Sequence, residues 1–304
     1  MQHRKKEYIK SPLNYTGGKY KLLGPLFKKF PNEFEIFYDL FAGGLNVSLN
    51  VQASKIIVND YDSNLIELYQ YFQSKNYEEI LKEIQLLIKK YKLSDTSKNG
   101  YEYYGCNSSN GVGSYNKEKY LKLRDDYNKE PNPIKFFTLI VYCFNNQIRF
   151  NNKGLFNLPV GKRDINNSIK SNLEDFIKRI NSLNIELYSA DYREIEILPN
   201  SFVYLDPPYL ASTASYNENG RWTEQKEIEL LDYIDLLNKK KINFALSNVF
   251  QNKDRSNNVL IKWAKKYNVN YLNHSYSNSN YHAKNRNKKT IEVLITNFGK
   301  KNAR

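Results

Sequence analysis

The feature of the sequence that most constrains its fold is a series of short apolar runs that alternate with helical patterns. The runs lack the strict apolar–polar alternation of half-exposed strands, so we expect strands that are covered on both faces. These runs are Glu35–Phe41, Lys55–Asn59, Asn184–Ser189, Ser201–Leu205, Asn243–Ser247 and Ile291–Asn297. The helical patterns are Leu65–Phe72, Leu173–Leu183, Lys226–Lys240 and Asn258–Tyr267. This alternation predicts an α/β fold with a doubly wound, mostly parallel sheet.

One long stretch, from Tyr77 to Lys170, interrupts the alternation. It begins with a long helical pattern, Glu78–Lys92, which is followed by a polar loop rich in Gly, Asn and Ser, Ser94–Asn116. Two further helical patterns come next, and the last part is an irregular basic segment, Arg149–Asp164. We interpret residues 77–170 as an inserted, mainly helical domain that carries a β-hairpin. Residues 1–76 and 171–304 then form the main domain.

The charge of the chain indicates a polyanionic partner. The 304 residues carry a net charge of +14, with 46 Lys and Arg against 32 Asp and Glu. The excess is concentrated in residues 1–29 and 253–304, so we expect the two ends to contribute to one basic surface. The alternative is coding bias, because AT-rich DNA favours the Lys, Asn, Ile and Tyr residues that crowd this sequence.

Several classes of protein are excluded by what the sequence lacks. Two cysteines, Cys106 and Cys143, do not make a disulfide framework and fit a cytoplasmic protein. The histidines have no partners at metal-ligand spacing, so we expect no metal; they are His3, His274 and His282. The basic N-terminal segment is unlike a signal peptide. The longest apolar stretch, Phe136–Phe144, is too short to cross a bilayer.

The strongest chemical signal is Asp206-Pro207-Pro208-Tyr209, directly after an apolar run. The prolines end the strand and fix the backbone, so the Asp206 carboxylate and the Pro207 carbonyl can point at one place. Two acceptors beside the aromatic ring of Tyr209 suit a planar ring that carries an exocyclic amine. The alternative is a simple turn with an aspartate cap.

Two glycine-rich segments accompany this tetrapeptide. The run Tyr38–Gly44 ends in Gly43-Gly44, where the backbone can approach a ligand closely, and Asp60 after the next strand can accept from ribose hydroxyls. The spacing does not match a dinucleotide-binding G-x-G-x-x-G motif. The segment Ser11–Lys19 contains Gly-Gly-Lys but does not match a phosphate loop.

Together and in this order, these motifs resemble those of the Dam-type, D12-class N6-adenine DNA methyltransferases of the alpha group, over nearly the whole chain. The resemblance implies a seven-stranded, Rossmann-like methyltransferase sheet and S-adenosylmethionine as cofactor. The implied cofactor-binding residues are Tyr15, Gly17, Gly18, Lys19, Asp39, Phe41, Gly43, Gly44, Asp60, Asp191, Tyr192 and Asp206. The implied catalytic residues are Asp206, Pro207, Pro208 and Tyr209.

The basic segment of the expected insertion is similar to the target-recognition hairpin of the same family. The implied DNA-binding residues are Asn14, Phe144, Asn145, Gln147, Arg149, Asn151, Asn157, Pro159, Lys162 and Arg163. Arg149 is expected to read a base edge, with a phosphate contact as the alternative. Gln147 and Arg163 differ from the residues of relatives that read GATC, so no particular target sequence is predicted.

The function expected from these residues is site-specific methylation of adenine N6 in double-stranded DNA, on a base that is flipped out of the helix. We expect a monomer without a metal or a membrane, working beside a separate restriction endonuclease or as an orphan methylase. Two alternatives remain open at this point. One is methylation of RNA or of cytosine N4, and the other is a non-catalytic DNA-binding module.

Overall fold

The computed structural model describes residues 8–211, 222–272 and 290–299. The chain is divided between two compact units, which we name the helical unit and the sheet unit. The helical unit comprises the residues up to Tyr20 together with Gly43–Asn50 and Asp62–Leu183. The sheet unit comprises Lys21–Ala42, Val51–Tyr61 and the residues from Asn184 onward. The division at residues 77–170 stays a prediction.

All strands belong to the sheet unit. They are β1 (Ile36–Asp39), β2 (Lys55–Asn59), β3 (Ile185–Tyr188), β4 (Ser201–Leu205), β5 (Asn243–Asn252), β6 (Arg255–Ser256), β7 (Asn268–Tyr271) and β8 (Thr290–Thr296). The six apolar runs of the sequence thus all form strands. The run at Asn243 continues well beyond Ser247, because the extra residues of β5 pair with β8, with Gln251 opposite Ile291.

The strand order confirms the expected mostly parallel sheet. The continuous path is β3-β2-β1-β4-β5-β8-β7, and the pairs from β3 to β5 are parallel. Strand β8 runs antiparallel to both β5 and β7. This path has seven strands, the number that the family resemblance implies. Six of them are the apolar runs of the sequence, whereas β7 matches none of those runs, and the two-residue β6 adds an eighth strand beside the end of β5.

Helices are found in both units. They are α1 (Leu23–Phe27), α2 (Ser63–Gln73), α3 (Tyr77–Tyr91), α4 (Thr96–Asn99), α5 (Gly113–Lys129), α6 (Pro133–Tyr142), α7 (Asn167–Ser182), α8 (Glu224–Lys239) and α9 (Asn258–Trp263). Most of the expected helices form close to their predicted bounds. Within the part of the chain that is described, no helix has the length and apolarity needed to cross a membrane.

The core of the sheet unit lies around β4, whose five residues are all buried. Phe202 on this strand contacts Phe37 on β1, and Phe30 packs edge-on against Phe202. In the helical unit, α6 is the central helix, since eight of its residues are buried and α2, α3 and α5 all contact it. The apolar stretch Phe136–Phe144 is therefore mainly the core helix of a globular unit.

Candidate active site

Two aspartates lie at neighbouring strand ends where the strand order of the sheet reverses. Strand β1 pairs with β2 on one side and with β4 on the other, which makes the β1–β4 crevice a topological switch point. Asp39, at the end of β1, pairs with Tyr204, and Asp206 directly follows β4. Asp39 is buried and Asp206 is half-buried. Ligands of open α/β sheets bind at such crevices.

Within the tetrapeptide after β4, Asp206 and Tyr209 are hydrogen-bonded. The Tyr209 hydroxyl donates to Oδ1 of Asp206 over 2.8 Å. Burial raises the pKa of Tyr209 well above its ordinary value, and the nearby Asp206 carboxylate raises it further. The hydroxyl is therefore a donor at every working pH, and the bond fixes the carboxylate beside the tyrosine ring.

Asn59 fixes the carboxyl ends of three strands relative to one another. Its Nδ2 donates to the carbonyls of Leu40 and Ala190, over 3.2 and 3.1 Å, and its Oδ1 accepts from the Ala190 amide over 3.0 Å. The side chain is buried. In the sequence, Asn59 is the polar residue that ends the apolar run Lys55–Asn59, and this was the available signal.

Three aromatic side chains lie together near these strand ends, and we name them the aromatic group: Phe41, Tyr192 and Trp222. The rings of Phe41 and Tyr192 are 5.2 Å apart between centroids, and Trp222 lies edge-on to Phe41 at 6.0 Å. Burial raises the pKa of Tyr192 to about 12, so its hydroxyl is neutral. Flat apolar faces of this kind suit an aromatic base.

Asp191, beside Tyr192, already has a charged partner. Its two carboxylate oxygens accept from Nε and Nη2 of Arg193, over 2.8 and 2.7 Å. These hydrogen bonds hold the pKa of the Asp191 carboxyl below its ordinary value. A ligand amine at Asp191 would therefore share the carboxylate with Arg193.

In the helical unit, Tyr15 packs on the Gly43-Gly44 turn. Gly43 has a φ of +46°, and a Cβ built there would lie 2.7 Å from the Tyr15 ring. A Cβ at Gly44 would lie 3.1 Å from the Tyr15 Cβ. The absence of side chains at Gly43 and Gly44 thus makes room for Tyr15, in addition to any ligand.

The Gly17-Gly18-Lys19 segment forms a compact turn beside Tyr15. Gly17 has a φ of +80°, and the Gly18 amide donates to the Tyr15 carbonyl over 3.1 Å. Lys19 is buried, and its Nζ donates to the Gly17 carbonyl over 3.0 Å. The predicted residues Tyr15, Gly17, Gly18 and Lys19 therefore form one local structure.

The basic segment of the helical unit forms an irregular hairpin. Its antiparallel bridges join Cys143 to Val160 and Phe150 to Phe156. Asn145 and its neighbour Asn146 both adopt positive φ, of 56° and 52°, and Phe144 is left 51% exposed. Because a buried location is usual for phenylalanine, this exposed ring is a candidate for contact with a partner.

The predicted DNA-binding residues are distributed along this hairpin. Arg149 is exposed, and its Nε donates to Oδ1 of Asn157 over 2.9 Å, which restricts the guanidinium. Asn14 donates to the Asn145 carbonyl over 3.0 Å, so it belongs to the same local structure. The Asn151 side chain instead caps the hairpin turn by accepting from the amides of Lys153 and Leu155. The exposed members also include Pro159, Lys162 and Arg163, and Gln147 is half-buried.

The structure thus brings the predicted residues together in separate groups. Asp39, Phe41, Asp60, Asp191, Tyr192 and Asp206 lie at the carboxyl ends of β1 to β4 in the sheet unit. The predicted residues Tyr15 to Lys19, Gly43 and Gly44 belong to the helical unit, as do those of the hairpin. His3, His274, His282 and much of the basic C-terminal region lie outside the described residues.

Comparison with known proteins identifies the family. The model of the D12 class N6 adenine-specific DNA methyltransferases matches residues 15–290. The chain is 38% identical to the type II methyltransferase M.FokI of Planomicrobium okeanokoites, over 98% of this chain and 44% of that protein. It is 38% identical to the modification methylase StsI of Streptococcus sanguinis, over 96% and 43%, and 25% identical to the DNA adenine methylase of Escherichia coli K12, over 78% and 79%.

The chain therefore spans less than half the length of the first two relatives. The match to the family model, in contrast, extends through Asp206–Tyr209, the whole of Tyr38–Gly44 and the last five residues of Ser11–Lys19. The chain belongs to the family of D12 class N6 adenine-specific DNA methyltransferases.

Proposed function

We propose that this chain transfers a methyl group from S-adenosylmethionine to N6 of an adenine in double-stranded DNA. The observation that carries the proposal is Asp206-Pro207-Pro208-Tyr209 at the switch point of the sheet, next to the end of β1. Asp206 lies at a crevice where a ligand can bind, and its carboxylate is fixed by Tyr209. The family to which the chain belongs supports the same reaction.

The residues of the sheet unit fit S-adenosylmethionine by their chemistry. Asp39 and Asp60 offer carboxylates for amine and hydroxyl donors, and the aromatic group offers flat faces for an adenine. The cofactor supplies an electrophilic methyl group on a positively charged sulfur. For Tyr15, Gly17, Gly18, Lys19, Gly43 and Gly44, the support for a cofactor contact is the family resemblance.

Asp206 and Pro207 would act on the amine of the target base. The lone pair of adenine N6 is delocalised into the ring, so the amine is a poor nucleophile. The Asp206 carboxylate and the Pro207 carbonyl would accept its two hydrogens, which favours a tetrahedral nitrogen whose lone pair points toward the methyl donor. Asp206 would also stabilise the positive charge that develops on N6, while alignment of the reacting atoms supplies much of the acceleration.

Tyr209 would hold the base in place. Its ring can stack on the adenine while its hydroxyl keeps the Asp206 carboxylate oriented. The base must leave the DNA helix to reach this tetrapeptide, because its amine is otherwise enclosed in the stack. The exposed Phe144 ring is suited to fill the space that the base leaves.

The hairpin of the helical unit would engage the DNA. Arg149, restricted by Asn157, is pre-oriented for bidentate contact with a guanine edge. Lys162 and Arg163 are exposed cations that suit phosphate contacts.

We also propose that the insertion spans residues 77–170, that the chain is a monomer, and that a separate restriction endonuclease is its partner in the cell.

The experiment that tests the proposed function follows labelled methyl groups from S-adenosylmethionine into DNA. The expected product is N6-methyladenine in duplex DNA. Label in cytosine alone, in RNA alone, or in no base would overturn the proposal. Sequencing the modified adenines in the DNA of a host that expresses the chain would give the target sequence.

A further inference from the structure

A buried carboxylate lies behind the aromatic group, and the reaction as proposed does not use it. Glu227, on α8, has no exposed surface. Its Oε2 accepts from Nε1 of Trp222 over 2.7 Å, and its Oε1 accepts from Nδ2 of Asn248 and of Asn257, over 3.1 and 2.8 Å. These three donors come from separate parts of the sheet unit: the residues before α8, strand β5 and the start of α9.

Each of the three partners is fixed as a donor. The indole of Trp222 has only an N–H to offer. The amide oxygen of Asn248 accepts from the Val249 backbone, and that of Asn257 accepts from the Leu260 backbone as the N-cap of α9. Neither amide can therefore turn its oxygen toward Glu227 without losing a bond, and the environment requires an acceptor on both oxygens of this side chain.

Placing the carboxyl group of Glu227 in the interior has a cost in free energy. Burial raises the pKa of Glu227, and the hydrogen bonds from its neighbours oppose that shift. Burying a carboxyl group is unfavourable unless it is well hydrogen-bonded. An apolar residue at the same place on α8 would leave the N–H donors of Trp222, Asn248 and Asn257 without an acceptor, so the carboxyl serves to hold these three side chains.

What Glu227 holds is the edge of the proposed cofactor site. Trp222 is half-buried and lies edge-on to Phe41. A tryptophan ring without its hydrogen bond could turn away from Phe41. The bond to Glu227 therefore determines where one member of the aromatic group lies.

We propose that Glu227 is a positioning residue that anchors Trp222 and thereby fixes the aromatic group against which the adenine of S-adenosylmethionine binds. This inference rests on the proposed function. Glu227 itself touches neither cofactor nor DNA in this account, and it acts through Trp222. Its removal should weaken cofactor binding more than it slows methyl transfer.

The test is Glu227→Gln. Glutamine keeps the shape and one acceptor oxygen, which can serve the two asparagines, but its amide nitrogen then faces the Trp222 N–H and cannot accept from it. We expect KM and Kd for S-adenosylmethionine to rise about tenfold, with kcat within about threefold of the wild type. Trp222→Phe removes the same bond from the other side and should raise the same two constants.

The chain offers a matched control. Its second tryptophan, Trp263, also donates to a carboxylate, Oδ1 of Asp235, over 3.0 Å in the same unit. Asp235→Asn should leave KM for the cofactor unchanged. If Asp235→Asn and Glu227→Gln raise KM equally, or if both only lower the stability of the fold, the role of Glu227 is merely structural and the proposal is overturned.

A fluorescence measurement tests, in the absence of cofactor, whether Glu227 holds Trp222 in place. In a Trp263→Phe background, Trp222 is the one tryptophan left. Glu227→Gln should then increase the acrylamide quenching and lower the anisotropy of its emission. Unchanged emission together with an unchanged KM would overturn the proposal. A wild-type chain that fails to bind S-adenosylmethionine would instead overturn the proposed function, while the emission still reports whether Glu227 holds Trp222.

Discussion

The hydroxyl of Tyr209 donates a hydrogen bond to the carboxylate of Asp206, three residues earlier in the same tetrapeptide. The donor and the acceptor are thus fixed by a single turn of backbone that contains two prolines. The hydrogen bond therefore fixes the position of the Asp206 carboxylate relative to the Tyr209 ring. The first two predictions separate the contributions of these side chains.

Replacing Asp206 with alanine should abolish methyl transfer while DNA binding remains. In the proposed mechanism, the variant loses the acceptor for the amine and the negative charge that stabilises N6 as it becomes positive. We expect kcat to fall by at least about a hundredfold, as for other groups that stabilise developing charge. Single-turnover methylation measures the loss, and a mobility-shift assay provides the control. Turnover within tenfold of the wild type would contradict the assigned role.

Replacing Tyr209 with phenylalanine should cost much less than replacing it with alanine. Phenylalanine keeps the ring for stacking and loses the bond to Asp206, worth about 1.5–3 kcal/mol as a hydrogen bond to a charged group. Alanine loses both. The two values of kcat/KM measured on one duplex test this order. Equal losses would mean that the ring contributes nothing to holding the base.

In the hairpin, Arg149→Ala and Lys162→Ala should affect DNA binding in different ways. If Arg149 reads a base, its loss reduces discrimination against one substituted base pair by about 1–3 kcal/mol. The loss of a phosphate contact at Lys162 should weaken binding to every sequence and make the salt dependence shallower by about 0.9 in slope. Binding titrations over a range of salt and of target sequences distinguish these outcomes. A DNA affinity that does not change with salt concentration would indicate that the basic charge of the chain reflects coding bias.

Gly43→Ala should destabilise the helical unit through contact with Tyr15. The new Cβ would lie 2.7 Å from that ring, whereas a Cβ at Gly105, with a comparable positive φ of +65°, meets nothing within 4 Å. We expect Gly43→Ala to lower the free energy of unfolding by about 1–3 kcal/mol more than Gly105→Ala does. Denaturant unfolding measures both. Adding Tyr15→Ala to Gly43→Ala should recover most of the difference, and no recovery would exclude Tyr15 as the cause.

The pairing of Asp191 with Arg193 predicts a specific pH dependence of stability. Because the pKa of Asp191 is lowered in the folded state, the pair contributes stability above the unfolded value, about 3.9, and this contribution is lost as the pH falls through the folded value. Arg193→Ala should raise the pKa of Asp191 and remove this dependence. NMR titration of the carboxyl measures the shift, and unfolding at pH 7 and pH 3 measures the stability. An unchanged pKa would contradict the pairing.

Local pattern was sufficient to predict most of the fold. Runs such as Lys55–Asn59 and Ser201–Leu205 form strands with the expected bounds, because buried parallel strands are short, apolar and ended by polar residues. The tetrapeptide to which we assign the reaction was equally visible, since Asp206-Pro207-Pro208-Tyr209 is contiguous. What local pattern missed depends on long-range pairing. The second half of β5 is a strand because β8 lies beside it.

The contacts of the polar residues around the candidate site could not be predicted from the sequence for the same reason. Asn59 bonds to Ala190, which is 131 residues away along the chain. Glu227 occurs in an amphipathic helix, where a glutamate normally indicates the exposed face, and only its contacts with Asn248 and Asn257 explain its burial. No spacing rule predicts such bonds. The contacts that these residues make are visible only once the segments are seen together.

The pairing of β1 with β4 has a consequence for how the protein is made. Ile36 pairs with Ser201, so the β4 side of β1 stays unpaired until more than half of the chain has been synthesised. Strand β2 is available to β1 much earlier. Asp39 and Asp206 therefore come together late, and a chain whose synthesis stops within the helical unit lacks the crevice between β1 and β4.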